Sequence, residues 1–517
     1  MSPSSPRVTR ATATFDPVPS RIRSALLTID VAAAPPPGTE ALGVPVAAGG
    51  DVPPIIGVDR ARLLESGFSG ALGQTLVLPH EDRPVVVAVG IGEPGSIDAA
   101  GLRDAAAAFA RAAARDGVLA TTLTDVAGVD AAEAGQAVVE GVLLARYRYR
   151  AFVDRPGEAP LTSLTLVATG GRGRSVRSGA ERGRVVADAV QVARDLANTP
   201  ATHLTATRMA EVARGLGTEA GLKVEVFDNA ALVELGCGGL LGVNQGSDEP
   251  ARMIKLTYAP RKRDGSPARP RGHLALVGKG IMYDAGGISL KPSDAMHFAM
   301  KQDMSGAAAV LGSMLTLQAL GCPTMVTGYL MCTDNMPSGK AMRLGDVLTI
   351  RGGKTVEVFN TDAEGRLVMA DALVLATELD PRPHAIVTIA TLTGAAMRTF
   401  GSALAAMLGN HPDLVHQLEA AGARTDEPVW ELPLVKAYRR KLDSAIADIR
   451  NLGGENAGTI TAGLFLEEFT AGVPFGHLDI CGPMMTDSDD GWRSIGATAF
   501  GTRLLSDLAM EFKPPKG

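Results

Sequence analysis

Residues 358–376, VFNTDAEGRLVMADALVLA, place charged side chains between an apolar strand-like run and an apolar helix-like run. Asp362, Glu364 and Arg366 lie at the point where the pattern changes. A strand that leads into a helix through a short polar turn is the repeating unit of α/β folds. Unpaired charge at the mouth of buried structure is costly, so these side chains need partners. The stretch therefore predicts an α/β fold with a polar site beside one of its turns.

The same alternation of strand-like and helix-like runs continues on both sides of this stretch. It occupies residues 24–170 and, with longer periods, about 190–510. A chain of 517 residues is longer than the roughly 250 to 300 residues that usually fold around a single hydrophobic core. We therefore predict a smaller N-terminal α/β domain and a larger C-terminal α/β domain with a mixed, mostly parallel sheet flanked by helices. The predicted segments are a disordered tail at 1–20, the N-terminal domain at 21–175, a linker helix at 176–200 and the larger domain at 201–517.

Composition and charge exclude several classes of function. A net charge of -6 gives no electrostatic footprint for nucleic acid. The four cysteines show no CxxC spacing, which favours reduced thiols in a cytoplasmic protein over disulfides or a zinc–thiolate site. No apolar run reaches the roughly 18 residues of a membrane-spanning helix, and the first residues lack the apolar segment of a signal peptide. We therefore expect a cytoplasmic protein with no membrane association.

Polar residues that could bind ligands or take part in catalysis lie where predicted strands end. Parallel α/β sheets bind ligands at these strand ends. Lys279, Asp284 and Lys291 follow the strand-like run HLALV, and Asp303 stands at the start of a helix-like run. Together with the residues at 362–366 they form a set of four carboxylates and three cations. The turn TLTGA, after the run AIVTI, adds polar groups and a glycine without charge.

Four carboxylates at one rim would repel each other unless cations lay among them. Two divalent ions would relieve this repulsion, because two-metal sites hold their ions with bridging carboxylates. Oxygen ligands without Cys or His indicate zinc, manganese, magnesium or cobalt and not a structural zinc. Asp362 and Glu364 are two residues apart, so in an extended segment they face the same side and can chelate together.

Taken singly, each of these residues has an ordinary structural explanation. The Asp362–Glu364 pair and Asp303 could cap helix N-termini. Lys279 lies in GKG, but Gly280 follows it where a phosphate-binding loop requires Ser or Thr. Lys291, before a proline, could be a surface lysine. Only their combination favours a metal site.

In sequence order, the motifs resemble the leucyl aminopeptidase (cytosol aminopeptidase) family of dinuclear metallopeptidases. NTDAEGRL at 360–367 is its most specific signature, and the resemblance covers about 190–505. The further matching motifs are RDLANTPATHLT, VGKGIMYDAGGISLKPS, MKQDMSGAAAV, NMPSGKAMRLGDVL, TIATLTGA, AGTITAGLFLEEF and HLDICGP. The N-terminal part is similar to the family only in size and α/β character.

The resemblance implies a set of ligands and catalytic groups in a C-terminal catalytic metallopeptidase domain. Two divalent metal ions, manganese or zinc, would be held by Lys279, Asp284, Asp303, Asp362 and Glu364. Lysine can bind metal only as a neutral amine, and a neighbouring dication lowers its pKa enough for that. Lys291 would stabilise the oxyanion. Arg366 would hold a bicarbonate that acts as general base on the water bridging the two metals, which gives the attacking hydroxide.

The resemblance also implies the substrate and the assembly. The protein would release N-terminal, Leu-like residues from peptide substrates with a free N-terminus, and it would form a homohexamer. The implied substrate-binding residues are Lys291, Met300, Asp303, Thr391, Leu392, Gly394, Cys481 and Met484. The sequence departs from the family pattern at Ala285, where Ser is common, and at Cys481, where a smaller Ala is frequent. The spacing from Lys291 to Asp303 is one residue longer than usual.

Two other classes of function stay open from the residues alone. A dinuclear hydrolase of phosphoesters would use similar metals, but His ligands and a basic substrate pocket are missing. A non-catalytic scaffold could keep the fold and the hexamer. Retention of every implied ligand argues against a scaffold, because buried charges without a role are expensive.

Overall fold

The computed structural model describes residues 15–78, 84–154, 157–262 and 264–516. Most of the predicted tail, residues 1–14, lies outside these ranges, and helix α1 begins at Ser20 (Ser20–Leu26). The chain divides into two compact units. The smaller consists of residues 19–191 and 486–498, and the larger of residues 192–485 and 499–516 with residues 15–18.

The smaller unit contains a largely parallel sheet. Its strands are β1 Thr28–Ala32, β2 Ala41–Val46, β3 Thr75–Leu78, β4 Val85–Gly90, β5 Val118–Thr121 and β6 Ser163–Val167, and its further helices are α2 Arg60–Glu65, α3 Ala99–Ala112, α4 Ala131–Ala145 and α5 Gly173–Asn198. The strand order is β1-β6-β5-β2-β4-β3, and β3 alone runs antiparallel to its neighbour among these strands. Helix α5 contains most of the predicted linker, and the division between the units falls within it, after Gln191.

The larger unit contains more elements. Its strands are β7 Lys223–Phe227, β8 Arg252–Tyr258, β9 His273–Asp284, β10 Met325–Asn335, β11 Val347–Thr349, β12 Thr355–Glu357, β13 Ala385–Ala390, β14 Ala405–Gly409, β15 Val429–Glu431, β16 Ile449–Arg450 and β17 Phe475–Asp479. Its helices are α6 Ala206–Glu219, α7 Asn229–Glu234, α8 Gly238–Asn244, α9 Ala295–Phe298, α10 Ser305–Thr316, α11 Gly365–Thr377, α12 Gly394–Phe400, α13 Pro412–Thr425, α14 Gly458–Glu467 and α15 Thr502–Glu511. Two further short strands, β18 Met485–Thr486 and β19 Gly496–Ala497, pair with each other, and all of their residues except Met485 belong to the smaller unit.

The main sheet of the larger unit is mixed, with the strand order β15-β14-β17-β13-β9-β10-β8-β7. The central strands β17, β13, β9 and β10 are parallel, whereas β14, β8 and β7 bring antiparallel pairings. The central strands are apolar and buried almost throughout, as expected for strands covered on both faces. The predicted fold class, two α/β domains with a mixed sheet in the larger one, is confirmed.

Two details of the strand-end prediction are wrong. Lys279 does not follow β9 but lies within it, because β9 stays paired with β10 from His273 to Asp284. The run KTVEV forms β12, which belongs to a small separate sheet, β11-β12-β16, and not to the main sheet. A tight turn at Gly352 and Gly353, both with positive φ, folds β12 back onto β11. Strand β12 is only three residues long.

Helix α10 packs very closely against the main sheet through a glycine. A Cβ atom added at Gly306 would lie 2.2 Å from the carbonyl oxygen of Ile389 and 3.0 Å from the backbone nitrogen of Lys279. No side chain fits this gap without displacing backbone. The close approach therefore fixes the start of α10, and Asp303 just before it, against β9.

We expect Gly306→Ala to lower the free energy of unfolding by about 1 to 3 kcal/mol, because the added methyl overpacks the contact. Helix propensity alone predicts the opposite sign. The matched control is Gly215→Ala in α6, where an added Cβ meets nothing within 4 Å, and a stabilisation of up to about 1 kcal/mol is expected. Denaturant titrations of both variants check the difference. Equal effects of the two substitutions would contradict this packing.

Candidate metal centre

The structure brings the five predicted metal ligands together in the larger unit. Lys279 and Asp284 come from β9, Asp303 from the turn before α10, and Asp362 and Glu364 from the loop that leads into α11. Carboxylate oxygens of Asp284, Asp362 and Glu364 all lie within 4.8 Å of one another. Four of the ligands are buried, and Asp362 is partly exposed.

Lys279 lies between two carboxylates. Its Nζ is 2.8 Å from an oxygen of Asp303 and 2.8 Å from Oε1 of Glu364, and it donates to the carbonyl of Thr391 at 2.9 Å. Space for the lysine depends on Gly365, because a Cβ there would lie 2.6 Å from Cε of Lys279. The glycine between Glu364 and Arg366 therefore lets the lysine reach the centre.

Lys291 bridges the other two carboxylates. Its Nζ is 2.9 Å from Oδ2 of Asp284 and 2.6 Å from Oδ1 of Asp362. Gly286 and Gly287, both with positive φ, turn the chain after β9 so that the backbone N–H of Lys291 donates to the carbonyl of Ala285 at 3.0 Å. This turn brings Lys291 back to the C-terminal end of β9.

The protonation equilibria at this centre reflect crowding of negative charge. Burial alone would lower the pKa of Lys279, but the surrounding carboxylates raise it above the ordinary lysine value. Burial raises the pKa of Asp303 and of Glu364, and repulsion from Asp284 raises both further. The carboxylates therefore require nearby positive charge. A donor set of carboxylate oxygens and one amine fits divalent ions such as manganese or zinc.

Asn335 completes the surroundings of the ligands and was not predicted from the sequence. It is the last residue of β10, it is buried, and its Nδ2 donates to Oδ1 of Asp284 at 2.8 Å and to the carbonyl of Thr361 at 3.0 Å. This amide fixes the direction of the Asp284 carboxylate. The strand-end rule would have identified Asn335, had β10 been recognised as the parallel neighbour of β9.

Two further buried residues hold the loops around the centre. Asn451 accepts the N–H of Phe359 at 2.8 Å and donates to the carbonyl of Asn360 at 2.7 Å, which anchors the loop carrying Asp362. Asp479, at the end of β17, accepts the hydroxyl of Thr393 at 2.6 Å and the N–H of Leu392 at 3.1 Å. Neither interaction follows from a local sequence pattern, because the partners are about 90 residues apart.

Arg366, in the first turn of α11, is buried with unused hydrogen-bond donors. Its Nε and one terminal nitrogen, Nη1, have no hydrogen-bond partner in the described part of the chain. Burial lowers its pKa to about 10, so the guanidinium stays charged near neutral pH. A buried cation with free donors near a helix N-terminus is suited to bind an anion.

The centre opens into a cavity of about 500 Å³. Its walls include the predicted substrate-binding residues Lys291, Met300, Asp303, Thr391, Leu392, Gly394, Cys481 and Met484, together with Arg366. The hydroxyl of Thr391 donates to Oδ1 of Asp303 at 2.6 Å, which ties one wall to a predicted ligand. Burial raises the pKa of the Cys481 thiol to about 12, so at neutral pH it is a small neutral wall group.

Comparison with known families shows which family the chain matches. A model of the cytosol aminopeptidase family, catalytic domain, matches residues 191–506, and one of the N-terminal domain of the same family matches residues 61–155. The chain belongs to the cytosol aminopeptidase family. This family consists of dinuclear metallopeptidases, and the resemblance inferred from the motifs is confirmed.

Relatives and solved structures of the cytosol aminopeptidase family match the chain over most of its length. The cytosol aminopeptidase of Pseudomonas aeruginosa is 39% identical over 95% of this chain and 98% of its own. A probable cytosol aminopeptidase of Streptomyces avermitilis is 42% identical over 87% of this chain and 88% of its own. The bottromycin maturation enzyme BotP, solved in complex with Mn, has a TM-score of 0.83 and 39% identity, and the match covers 92% of this chain and 99% of that chain.

Membership of the cytosol aminopeptidase family makes the protein a metal-dependent aminopeptidase and thus a hydrolase. The acidic cluster of Asp284, Asp362 and Glu364 fits the metal site that this activity needs. Within the described residues, no helix combines the length and apolarity required to cross a membrane.

Proposed function

We propose that the protein is a leucyl aminopeptidase that releases Leu-like N-terminal residues from peptides by two-metal hydrolysis. The observation that carries this proposal is the cluster of carboxylates within 4.8 Å of one another, at the end of a cavity of about 500 Å³. A cavity of this size is comparable to ligand pockets in other proteins. Two metal ions bound there would supply an activated water and would polarise the scissile carbonyl.

The five predicted ligands, Lys279, Asp284, Asp303, Asp362 and Glu364, would hold the two ions, with manganese or zinc as the expected metals. Their convergence from β9, from the start of α10 and from the loop before α11 supports this assignment. Lys279 would bind as the neutral amine, so its proton must leave as metal enters.

Lys291 would stabilise negative charge that develops on the substrate carbonyl oxygen. Its ammonium lies 2.9 Å from Asp284 and 2.6 Å from Asp362, and it lines the cavity. A preorganised cation in a largely buried site acts much more strongly on developing charge than it would in water.

Arg366 would hold bicarbonate beside the metal centre, and this anion would supply a general base where the nearby carboxylates are committed to metal. The buried Nε and Nη1 atoms of Arg366, which have no hydrogen-bond partner in the described residues, support this role. The residue's position near the start of α11 adds backbone N–H groups to the same anion site.

The side chain of the first substrate residue would lie against Met300, Thr391, Gly394, Cys481 and Met484, and the backbone of Leu392 would contact the substrate. Methionine side chains adapt to aliphatic shapes, which favours leucine and methionine. Binding of an unblocked α-amino group at the metal centre would restrict cleavage to the N-terminus. We propose further that the protein is cytoplasmic and assembles as a homohexamer that admits short peptides.

Cleavage products test the proposal. Incubation of Leu-Gly-Gly with metal-loaded protein should release leucine first and leave Gly-Gly, as followed by mass spectrometry. The N-acetylated peptide should stay intact, because its blocked amine cannot bind metal. Release of glycine first with Leu-Gly left over, or equal cleavage of the acetylated peptide, would overturn the proposal.

We expect Asn335→Ala to weaken metal binding by about 10- to 100-fold, the usual effect of removing a hydrogen-bond partner of a metal ligand. The loss follows from the 2.8 Å hydrogen bond that holds Asp284. Titration of metal into chelator-treated protein measures it. Unchanged affinity would show that Asn335 does not orient the ligand.

A further inference from the structure

The cavity contains one exposed cation that the metal centre and the anion site do not use. Arg398, in α12, lines the cavity together with the predicted catalytic and substrate-binding residues. The other cations on the cavity walls are Lys279, Lys291 and Arg366, each of which already has a proposed role. Apart from the predicted metal ligands, Glu455 is the one carboxylate among the wall residues that the structure describes.

The guanidinium of Arg398 is folded back over the start of its own helix. A Cβ atom added at Gly394 would lie 3.2 Å from Nη1 and 3.9 Å from Cζ of Arg398. The missing side chain at Gly394 therefore leaves the room that the guanidinium takes. Gly394 follows Thr391 by three residues, and the Thr391 carbonyl accepts the hydrogen bond of Lys279 at 2.9 Å. Arg398 thus lies over the segment of cavity wall that leads to the metal centre.

Arg398 has no ion pair and no side-chain hydrogen bond within the described ranges of the chain. Other arginines of the same unit are engaged, such as Arg351 with Glu378 at 2.7 Å and Arg424 with Asp507 at 2.9 Å. Glu455 lines the same cavity and forms no ion pair with Arg398 among these residues. The N–H donors of the guanidinium are therefore available in a planar fork that matches a carboxylate.

We propose that Arg398 binds a carboxylate carried by the peptide substrate and thereby sets which peptides the cavity prefers. This inference rests on the proposed aminopeptidase function. The carboxylate has two possible sources, the acidic side chain of a first residue such as glutamate and the C-terminal carboxylate of a dipeptide. Either carboxylate would reach Arg398 from the cavity. Either one could accept two parallel N–H hydrogen bonds from the guanidinium.

Matched substrates separate the two sources. Glu-Gly-amide against Gln-Gly-amide varies only the side-chain carboxylate, and Leu-Gly against Leu-Gly-amide varies only the C-terminal carboxylate. The ratio of kcat/KM within each pair is measured for the wild-type protein, Arg398→Gln and Arg398→Lys. Arg440→Gln removes the same charge from an exposed residue that does not line the cavity, and it serves as the control.

In Arg398→Gln, we expect the ratio of at least one pair to fall about tenfold, the usual order for a charge-assisted contact. The fall should appear mainly in KM, because a contact with a non-reacting group of the substrate is made equally in the ground state and in the transition state. Arg398→Lys should retain part of the preference, and Arg440→Gln should retain all of it.

Two results would overturn the proposal. One is hydrolysis with both ratios unchanged in Arg398→Gln, which leaves the aminopeptidase function intact. The other is an equal loss on all four substrates, which would indicate a structural role. Failure of the metal-loaded wild-type protein to hydrolyse any of the four would overturn the aminopeptidase function, and the role of Arg398 with it.

Discussion

Glu364→Gln is expected to lower kcat/KM for leucine amide by about a thousandfold or more and to reduce metal content at the same time. Glu364 is buried, its Oε1 lies 2.8 Å from Lys279, and its oxygens belong to the cluster with Asp284 and Asp362. Glutamine preserves the shape but removes the charge that a shared carboxylate ligand supplies. The substitution removes one anionic oxygen ligand and one negative charge from the cluster, so the centre should bind divalent ions poorly.

The matched control is Glu378→Gln, which removes a carboxylate paired with Arg351 at 2.7 Å on an exposed surface. It should keep full metal content and activity, since exposed ion pairs contribute little. Metal content is measured on dialysed protein, and circular dichroism checks that both variants fold. If Glu364→Gln retains both metal and turnover, the assignment of this ligand is wrong.

Lys291→Met is expected to lower kcat by about 100- to 1000-fold, the usual effect of removing one donor to developing negative charge. In contrast to the glutamate variant, metal content should not fall. Lys291 forms ion pairs with Asp284 and Asp362, and its removal leaves both carboxylates free to bind cations. Methionine fills a similar volume without a charge, so the walls of the cavity should keep their shape.

Lys340→Met, at an exposed position outside the cavity, is the control for loss of one positive charge. Single-turnover kinetics separate the chemical step from substrate binding. A Lys291→Met variant whose kcat is unchanged and whose KM alone rises would indicate that Lys291 only binds the substrate.

Much of the fold and of the centre could be predicted because both depend on local patterns. The change from apolar strand to polar turn to apolar helix around Asp362 correctly indicated an α/β arrangement, and α11 begins at Gly365 as that pattern requires. The resemblance to the family fixed the set of residues to examine. The structure places all of this set except Glu364 on the walls of one cavity, and Glu364 lies in the cluster with Asp284 and Asp362; the roles of the individual residues stay predictions.

The errors arose where long-range pairing decides the structure. Strand β12 resembles a main-sheet strand in sequence, but its partners are β11 and β16. Lys279 lies within β9 because β10 continues the pairing beyond it. Asn335 and Asp479 support the centre from the ends of β10 and β17, and their role depends on partners distant in the sequence. A short-range sequence pattern does not predict contacts between residues so far apart in the chain.

The central claim is that catalysis needs divalent metal held by this cluster of carboxylates. The most direct measurement is hydrolysis of leucine amide and N-acetyl-leucine amide by chelator-stripped protein, before and after titration with manganese or zinc. We predict no activity without metal, full activity on leucine amide after about two ions per chain have bound, and none on the acetylated substrate. Metal-independent turnover of leucine amide by the stripped protein would contradict the claim.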